Sequence, residues 1–429
     1  MKKYILLIIL TSLSKFLEAQ NSGTNFIEGL TYQEMKSKAK LENKKIFIEL
    51  YATWCTNCKM MDPVFSKESV SEILNGNYIS TKLQLDTGKN DNESIKRMYP
   101  FAEEIKKKYK ISGVPTFLFL DVDGNLLGIE KGVQNINKII EISKAAIDPN
   151  ENFTHLYAQY TKGQLKGPSL LKLAHYLNLL NEKTASEQVA QKYRSITWDN
   201  KEIKSVLNPD FLETIREFPS LYTTQDSLIS YIYRNKEESD SLFHERGASE
   251  YLINYLIRRD LIEPEIKKSA SENRTPNWTA LENKLSRNWG MNAKASIIFR
   301  KIDYYIEKKD WKRVTQGFIE RTELLGISRD INAVVWYYFF ERSNDHYALN
   351  KAISYMEKDL EKNPSNYVHI DTYANVLYKA GHVEKALQFE EKALNMAEAK
   401  NDQKNSNTYK ECLEKMKKGI PTWTDNQLQ

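Results

Sequence analysis

The stretch Ile46-Phe47-Ile48-Glu49-Leu50-Tyr51-Ala52-Thr53-Trp54-Cys55-Thr56-Asn57-Cys58-Lys59 decides how this sequence folds. Its first half is a short apolar, β-prone run, the composition of a strand covered on both faces. Its second half sets two cysteines three residues apart directly after that strand, where a helix is expected to begin. A cysteine in the first turn of a helix lies against unpaired backbone N–H groups and the positive end of the helix dipole, which stabilise its thiolate. Cys55 therefore reads as a nucleophile. Cys58, one turn further on the same face, can attack a mixed disulfide formed at Cys55 and reads as the resolving thiol. The other reading of such a pair is half of a zinc site, which needs two more Cys or His ligands. All six histidines lie at or beyond His155 and the third cysteine is Cys412, so no metal is expected at the pair and no cofactor is called for.

Outward from this segment, helix and strand alternate. Tyr32 to Asn43 spaces Met35, Ala39 and Leu41 as an amphipathic helix. Tyr78 to Asp86 reads as a second strand, Phe101 to Tyr109 as a helix, and Thr116 to Asp121 as a third strand. Leu126 to Ile129 follows an Asp123-Gly124 turn as a fourth strand, and Asn135 to Ala146 closes the region as a helix. The polar link Asp148-Pro149-Asn150 ends this alternation, and the core is expected to be complete there.

The Glu49-Leu50-Tyr51-Ala52-Thr53-Trp54-Cys55-Thr56-Asn57-Cys58-Lys59 pattern, with Gly113-Val114-Pro115-Thr116 downstream, resembles the thioredoxin superfamily. It is most similar to the periplasmic thioredoxin-like domains of bacterial disulfide-interchange reductases. The resemblance covers Glu28 to Ala146 and implies an α/β thioredoxin fold, a central mixed sheet flanked by helices. It implies that Pro115 follows a cis peptide bond and faces the dithiol, with Val114 offering backbone groups to an extended substrate segment. It implies that Glu49 is the buried acid exchanging a proton with Cys58; a carboxylate inside an apolar strand is costly without a role or partner, which agrees. Pairing with Lys44 or Lys45 at an exposed strand position is the competing reading of Glu49. Trp54 is expected to shield the edge of the active site and to contact substrate. Thr56-Asn57 stands where thioredoxin itself has Gly-Pro, and residues 87–98 form a charged stretch that also departs from it.

After the link nearly every segment has helical spacing and no strand alternation recurs. The last third shows a period of 34 residues: Trp336, Phe339, Ala352 and Pro364 correspond to Ile370, Tyr373, Ala386 and Glu398, with Gly381 at a turn. This resembles tetratricopeptide repeats, pairs of antiparallel helices that stack on their neighbours and bind peptides or proteins. Asp359 departs from the pattern, which favours a small residue there. Cys412, on a final helix with Leu413 and Met416, reads as a half-buried core thiol.

The expected organisation is a cleavable signal peptide at residues 1–20, a thioredoxin-like domain at 21–147, a helical region of unassigned topology at 148–290 and tetratricopeptide-like repeats at 291–420. Lys2 and Lys3 ahead of an apolar run to Leu13 carry the signal-peptide reading, which places the mature chain in the periplasm or outside the cell. No later stretch is apolar over membrane length, so the mature chain is expected to have no integral membrane segment. The balance of 62 basic and 57 acidic residues offers no basic block for nucleic acid. The function these readings favour is reduction or exchange of disulfides in envelope proteins, with disulfide-containing proteins as substrates, an upstream thiol electron donor and a protein partner at the repeats. Two alternatives use the same features: a helical-repeat adaptor on a thioredoxin-fold scaffold, and a dithiol oxidase.

Overall fold

The computed structural model describes residues 23–199 and 201–424, so the expected signal peptide lies outside the described residues. Four strands form one mixed sheet in the order β2-β1-β3-β4. The central strand β1 (Lys45–Tyr51) pairs parallel with β2 (Tyr78–Gln84) and antiparallel with β3 (Thr116–Leu120). β4 (Leu126–Lys131) completes a hairpin with β3. Burial on both faces is why β1 reads as a continuous apolar run, Phe47, Ile48 and Leu50 all being inaccessible. Phe47, Phe65, Tyr78, Phe117 and Phe119 pack into one aromatic core, each contributing about 1.5–3 kcal/mol by leaving water. The β3–β4 turn is closed by Asp121, whose carboxylate accepts the N–H groups of Asp123 and Asn125 at 2.9 and 2.7 Å. Gly124 is required there: its φ is +82°, and a Cβ would collide with the Tyr32 hydroxyl.

Six helices accompany the sheet: α1 (Tyr32–Leu41), α2 (Thr56–Lys59), α3 (Asp62–Phe65), α4 (Glu68–Asn77), α5 (Glu93–Lys108) and α6 (Ile136–Ile147). α5 begins well ahead of the expected Phe101. The Asn92 side chain caps it by accepting the Ile95 N–H at 2.8 Å, and the helix continues through Pro100. Pro100 is what hides this from a sequence reading, because proline has no N–H to give to the preceding turn. Asn152 and Asn277 cap helices in the same way.

The helices after residue 147 are not a loose appendage. α7 (Phe153–Thr161) and α8 (Pro168–Leu179) pack on β4, and α9 (Lys183–Thr197) packs on α8. The Thr154 hydroxyl donates to the Leu126 carbonyl at 2.7 Å and the Lys131 ammonium to the Leu179 carbonyl at 2.5 Å. His175 bridges Glu217 at 2.6 Å and the buried Glu130 of β4 at 3.3 Å. Packing helices on an edge strand in this way protects it from pairing with another chain, and Thr154 satisfies its Leu126 carbonyl. The first compact unit accordingly runs to Leu221, past the point near residue 148 where the alternation of helix and strand ends.

The second unit, from Tyr222, has helices as its only regular elements among the described residues. Its long helix Trp278–Glu307 is kinked at Gly290, whose φ of +46° leaves the helical region. Helices His346–Lys362, Tyr367–Lys379, Val383–Ala399 and Gln403–Lys417 pack each on the next. Of the residues that carry the 34-residue period, Phe339, Ala352, Ile370, Tyr373 and Ala386 are buried, Trp336 is half-buried, and Pro364 and Glu398 are exposed. Asp359 is accommodated by pairing: its carboxylate meets His369 at 2.5 Å and accepts the Asn363 amide at 3.0 Å. Among the described residues no helix is long and apolar enough to cross a membrane.

Candidate active site

β1 ends at Tyr51, and four residues later Cys55 caps the single turn of α2 from an extended conformation. The Cys55 N–H donates to the Ala52 carbonyl at 3.0 Å, and the Cys55 Sγ accepts the Cys58 N–H at 3.1 Å. α2 is too short to carry a macrodipole of any length, so this nearby N–H is the interaction that favours charge on Cys55. Cys55 and Cys58 are joined as a disulfide, Sγ–Sγ 2.18 Å and Cα–Cα 5.3 Å. Both are buried, in a small apolar cluster with Ala52, Tyr51 and Val114. Trp54 is 73% exposed and so is no core aromatic.

The Val114–Pro115 peptide is cis. The loop around it is held on both sides: the Thr116 hydroxyl donates to the Gly113 carbonyl at 2.7 Å, and the Pro115 carbonyl accepts the Gly132 N–H at 2.9 Å. Val114 is half-buried against the cysteines and Pro115 is buried.

Glu49 is 1% exposed on β1, directly opposite Lys82 in the parallel register. The Lys82 Nζ lies 2.9 Å from Glu49 Oε2 and 2.6 Å from Asp62 Oδ1, over the faces of Phe26 and Phe65. The Glu49 contact is an ion pair without hydrogen-bond alignment, since Oε2 receives no aligned donor. Burial pushes the Glu49 carboxyl above its ordinary range, and the Lys82 charge only partly opposes it. Burial acts against the Lys82 charge, yet the two carboxylates together hold its ammonium above its usual value. Lys44 instead donates to the Asn75 carbonyl at 2.8 Å, and the exposed-strand reading of Glu49 does not apply.

The sequence reading missed Lys82, Asp62 and Asp86. The Asp86 carboxylate, just past β2, accepts the Thr53 N–H at 3.0 Å and also binds the Thr53 hydroxyl, tying down the backbone ahead of Trp54. The charged stretch after it is folded rather than open: Asp91 binds Gln84, Tyr99 and the Gly88 N–H, and Gln84 accepts the Tyr51 hydroxyl at 3.2 Å. Burial, with the charges of Glu28, Asp91 and Asp86 added, pushes the Tyr51 hydroxyl up to about 12. A lone lysine inside an apolar strand was the one available signal for Lys82; its partner follows only from the strand register.

Residues 32–147 match the family model described as a thioredoxin-like domain. The thiol:disulfide interchange protein DsbD of Campylobacter jejuni (strain RM1221) is 29% identical over 140 residues, which cover 28% of this chain and 23% of that protein. The chain therefore spans under a quarter of the length of that relative. A thioredoxin of Mycoplasmoides gallisepticum is 28% identical over 117 residues, covering 26% of this chain and 99% of that protein. The oxidised C-terminal domain of Neisseria meningitidis DsbD, a solved structure, is 21% identical with a TM-score of 0.20, covering 25% of this chain and 84% of that one. With its mixed sheet, its strand-to-helix cysteine pair and its match to the family model, the segment 32–147 is a thioredoxin-like domain, followed by a helical C-terminal region.

Proposed function

We propose that this protein is an exported thiol-disulfide oxidoreductase that reduces or exchanges disulfides of envelope proteins. The observation that carries the proposal is the Cys55–Cys58 pair at the end of β1, packed against Val114 ahead of Pro115, with the buried Glu49 behind it on the same strand. In the reduced enzyme the Cys55 thiolate attacks one sulfur of a substrate disulfide. A mixed disulfide forms and one substrate thiolate leaves. Cys58, giving its proton to the Glu49 carboxylate through water, attacks the Cys55 sulfur and expels the second substrate thiolate. Two electrons have passed to the substrate and the enzyme is left as the disulfide, which an upstream thiol donor must reduce. Val114 offers its backbone to an extended substrate segment, and the exposed Trp54 covers the approach. The names of the interchange relatives support this reading, as does the short positive and apolar N-terminus for export.

The helical region after the thioredoxin-like domain binds or positions a protein partner. Its 34-residue period and successive packed helices of tetratricopeptide type support that role. Equilibration of Cys55–Cys58 with glutathione tests the direction of electron flow. A potential at or below about −220 mV supports a reductase, and one near −120 mV would replace it with an oxidase.

A further inference from the structure

Three consecutive helices near the C-terminus bring together groups that the dithiol chemistry does not use. Asp371 lies on helix Tyr367–Lys379, Glu390 on Val383–Ala399 and Cys412 on Gln403–Lys417. One carboxylate oxygen from each acid and the Cys412 Sγ all lie within 4.8 Å of one another. Glu390 is 0% exposed, and neither of its oxygens receives a hydrogen bond from any described residue. Asn375, one turn after Asp371, is also inaccessible: its amide donates to Asp371 Oδ1 at 2.9 Å while its own Oδ1 is left without a donor. A buried carboxylate without donor or cation costs several kcal/mol. Glu390 is in that position, and with Asp371 and the Cys412 sulfur facing it the pocket is strongly electronegative, with no ion pair to either acid among the described residues.

We propose that Asp371, Glu390 and Cys412 form a binding site for a zinc ion that staples the last three helices. Carboxylates with one thiolate form a donor set suited to Zn²⁺, whereas Mg²⁺ and Ca²⁺ take oxygen alone and Cu(I) favours sulfur. Zinc–oxygen bonds near 2.1 Å and zinc–sulfur bonds near 2.3 Å put tetrahedral ligands about 3.5 Å apart, a contraction that side-chain torsions can supply. On binding, the Cys412 thiol and the protonated carboxyls release their protons to solvent, and the sulfur and the carboxylate oxygens bond to the metal; no electron is transferred. The Asn375 amide, donating to Asp371 Oδ1, holds that carboxylate in place for the ion, and water can take the fourth position. Without the ion, burial pushes all three groups above their ordinary ranges, so that protons occupy the cluster instead. The site is independent of the proposed redox activity.

The test uses the full chain, untagged and chelator-treated, with Cys55–Cys58 kept oxidised so that Cys412 is the sole thiol. Zinc alone should bind at one equivalent per chain and raise the thermal midpoint. Cobalt in its place should give a sulfur-to-cobalt charge-transfer band in the near ultraviolet together with visible d–d bands. Glu390→Gln and Cys412→Ser, their helix content checked by circular dichroism, should lose stoichiometric binding, and Asn375→Ala should weaken it by about 10–100-fold. No zinc uptake by the wild type, or cobalt binding without the sulfur band, would overturn the proposal. So would wild-type affinity in either folded ligand variant. If both variants fail to fold, the cobalt spectrum of the wild type decides alone.

Discussion

Glu49 and Glu390 are both inaccessible glutamates among apolar neighbours, one in each compact unit, and they are handled in different ways. Glu49 faces a lysine from the adjacent strand at 2.9 Å, so the protein supplies the countercharge itself. Glu390 faces another carboxylate and a thiol, and no described residue donates to it. The first arrangement suits a group that must take up and release a proton: burial raises its carboxyl while Lys82 keeps the charged form accessible. The second suits a group that holds something from outside. A buried carboxylate thus points to proton transfer or to ligation according to whether a cation of the protein stands beside it.

The largest expected effect lies on the thioredoxin-like side of this comparison. Cys55→Ser should abolish reduction of a protein disulfide such as insulin, and Cys58→Ser should trap mixed disulfides visible on non-reducing gels. Wild-type turnover in the Cys55 variant would remove the dithiol from the mechanism altogether.

Truncation tests whether the first unit is self-contained. A chain ending at Leu221 should fold and still reduce a small disulfide. One ending at Pro149 loses α7 and α8 from β4, strips Glu130 of its His175 partner and exposes apolar surface, so it should unfold or aggregate. Circular dichroism and thermal melts of the two chains decide between this boundary and one near residue 148.

Glu49→Gln should slow resolution near neutral pH by about tenfold or more, within the range of a lost general base. In the wild type the resolution rate should rise with pH through a value above the ordinary 4.5 of a glutamate. That rise should vanish in the variant. Lys82→Met should move it to higher pH, because Glu49 then keeps its desolvation and the Asp62 charge, both of which raise it, with no cation to oppose them. A stopped-flow pH profile that is the same in all three proteins would make Glu49 a structural residue, and the contrast with Glu390 would lose its meaning.

The smallest effect concerns the His175 clasp. Burial opposes its charge, but Glu130 and Glu217 raise the imidazole from 6.5 to about 9. A folded value above the unfolded one stabilises fully below pH 6.5, and that stabilisation is lost as pH rises through about 9. The side chain is 31% exposed, so solvent screening reduces the contribution to about 1–2 kcal/mol. Wild-type melting temperature should fall between pH 6.5 and 9 more steeply than that of His175→Gln. Parallel curves would mean that the clasp adds nothing to the first unit.

Local features were legible in the sequence. The strand Ile46–Tyr51, the Asp123-Gly124 turn and the placement of Cys55 and Cys58 between strand and helix all depend on neighbours within a few positions. The start of α5 at Glu93 was not legible, because Pro100 imitates a boundary and only the Asn92 cap marks the true one. The division after Leu221 was hidden for another reason: α7 and α8 carry no strand pattern, and their place on β4 rests on contacts such as Thr154 to Leu126.

What this sequence determined by itself is the order of elements and the placing of Cys55 and Cys58 as a pair between strand and helix, since side-chain period, turn chemistry and a three-residue cysteine spacing are written along the chain. What only the tertiary structure decided is which distant groups share a site: Glu49 with Lys82 and Asp62, and Asp371 with Glu390 and Cys412. Strand register and helix stacking set those pairings, and both depend on how the cores close. Whether a buried charge meets a cation or another acid is therefore fixed by packing between segments, which no local pattern encodes.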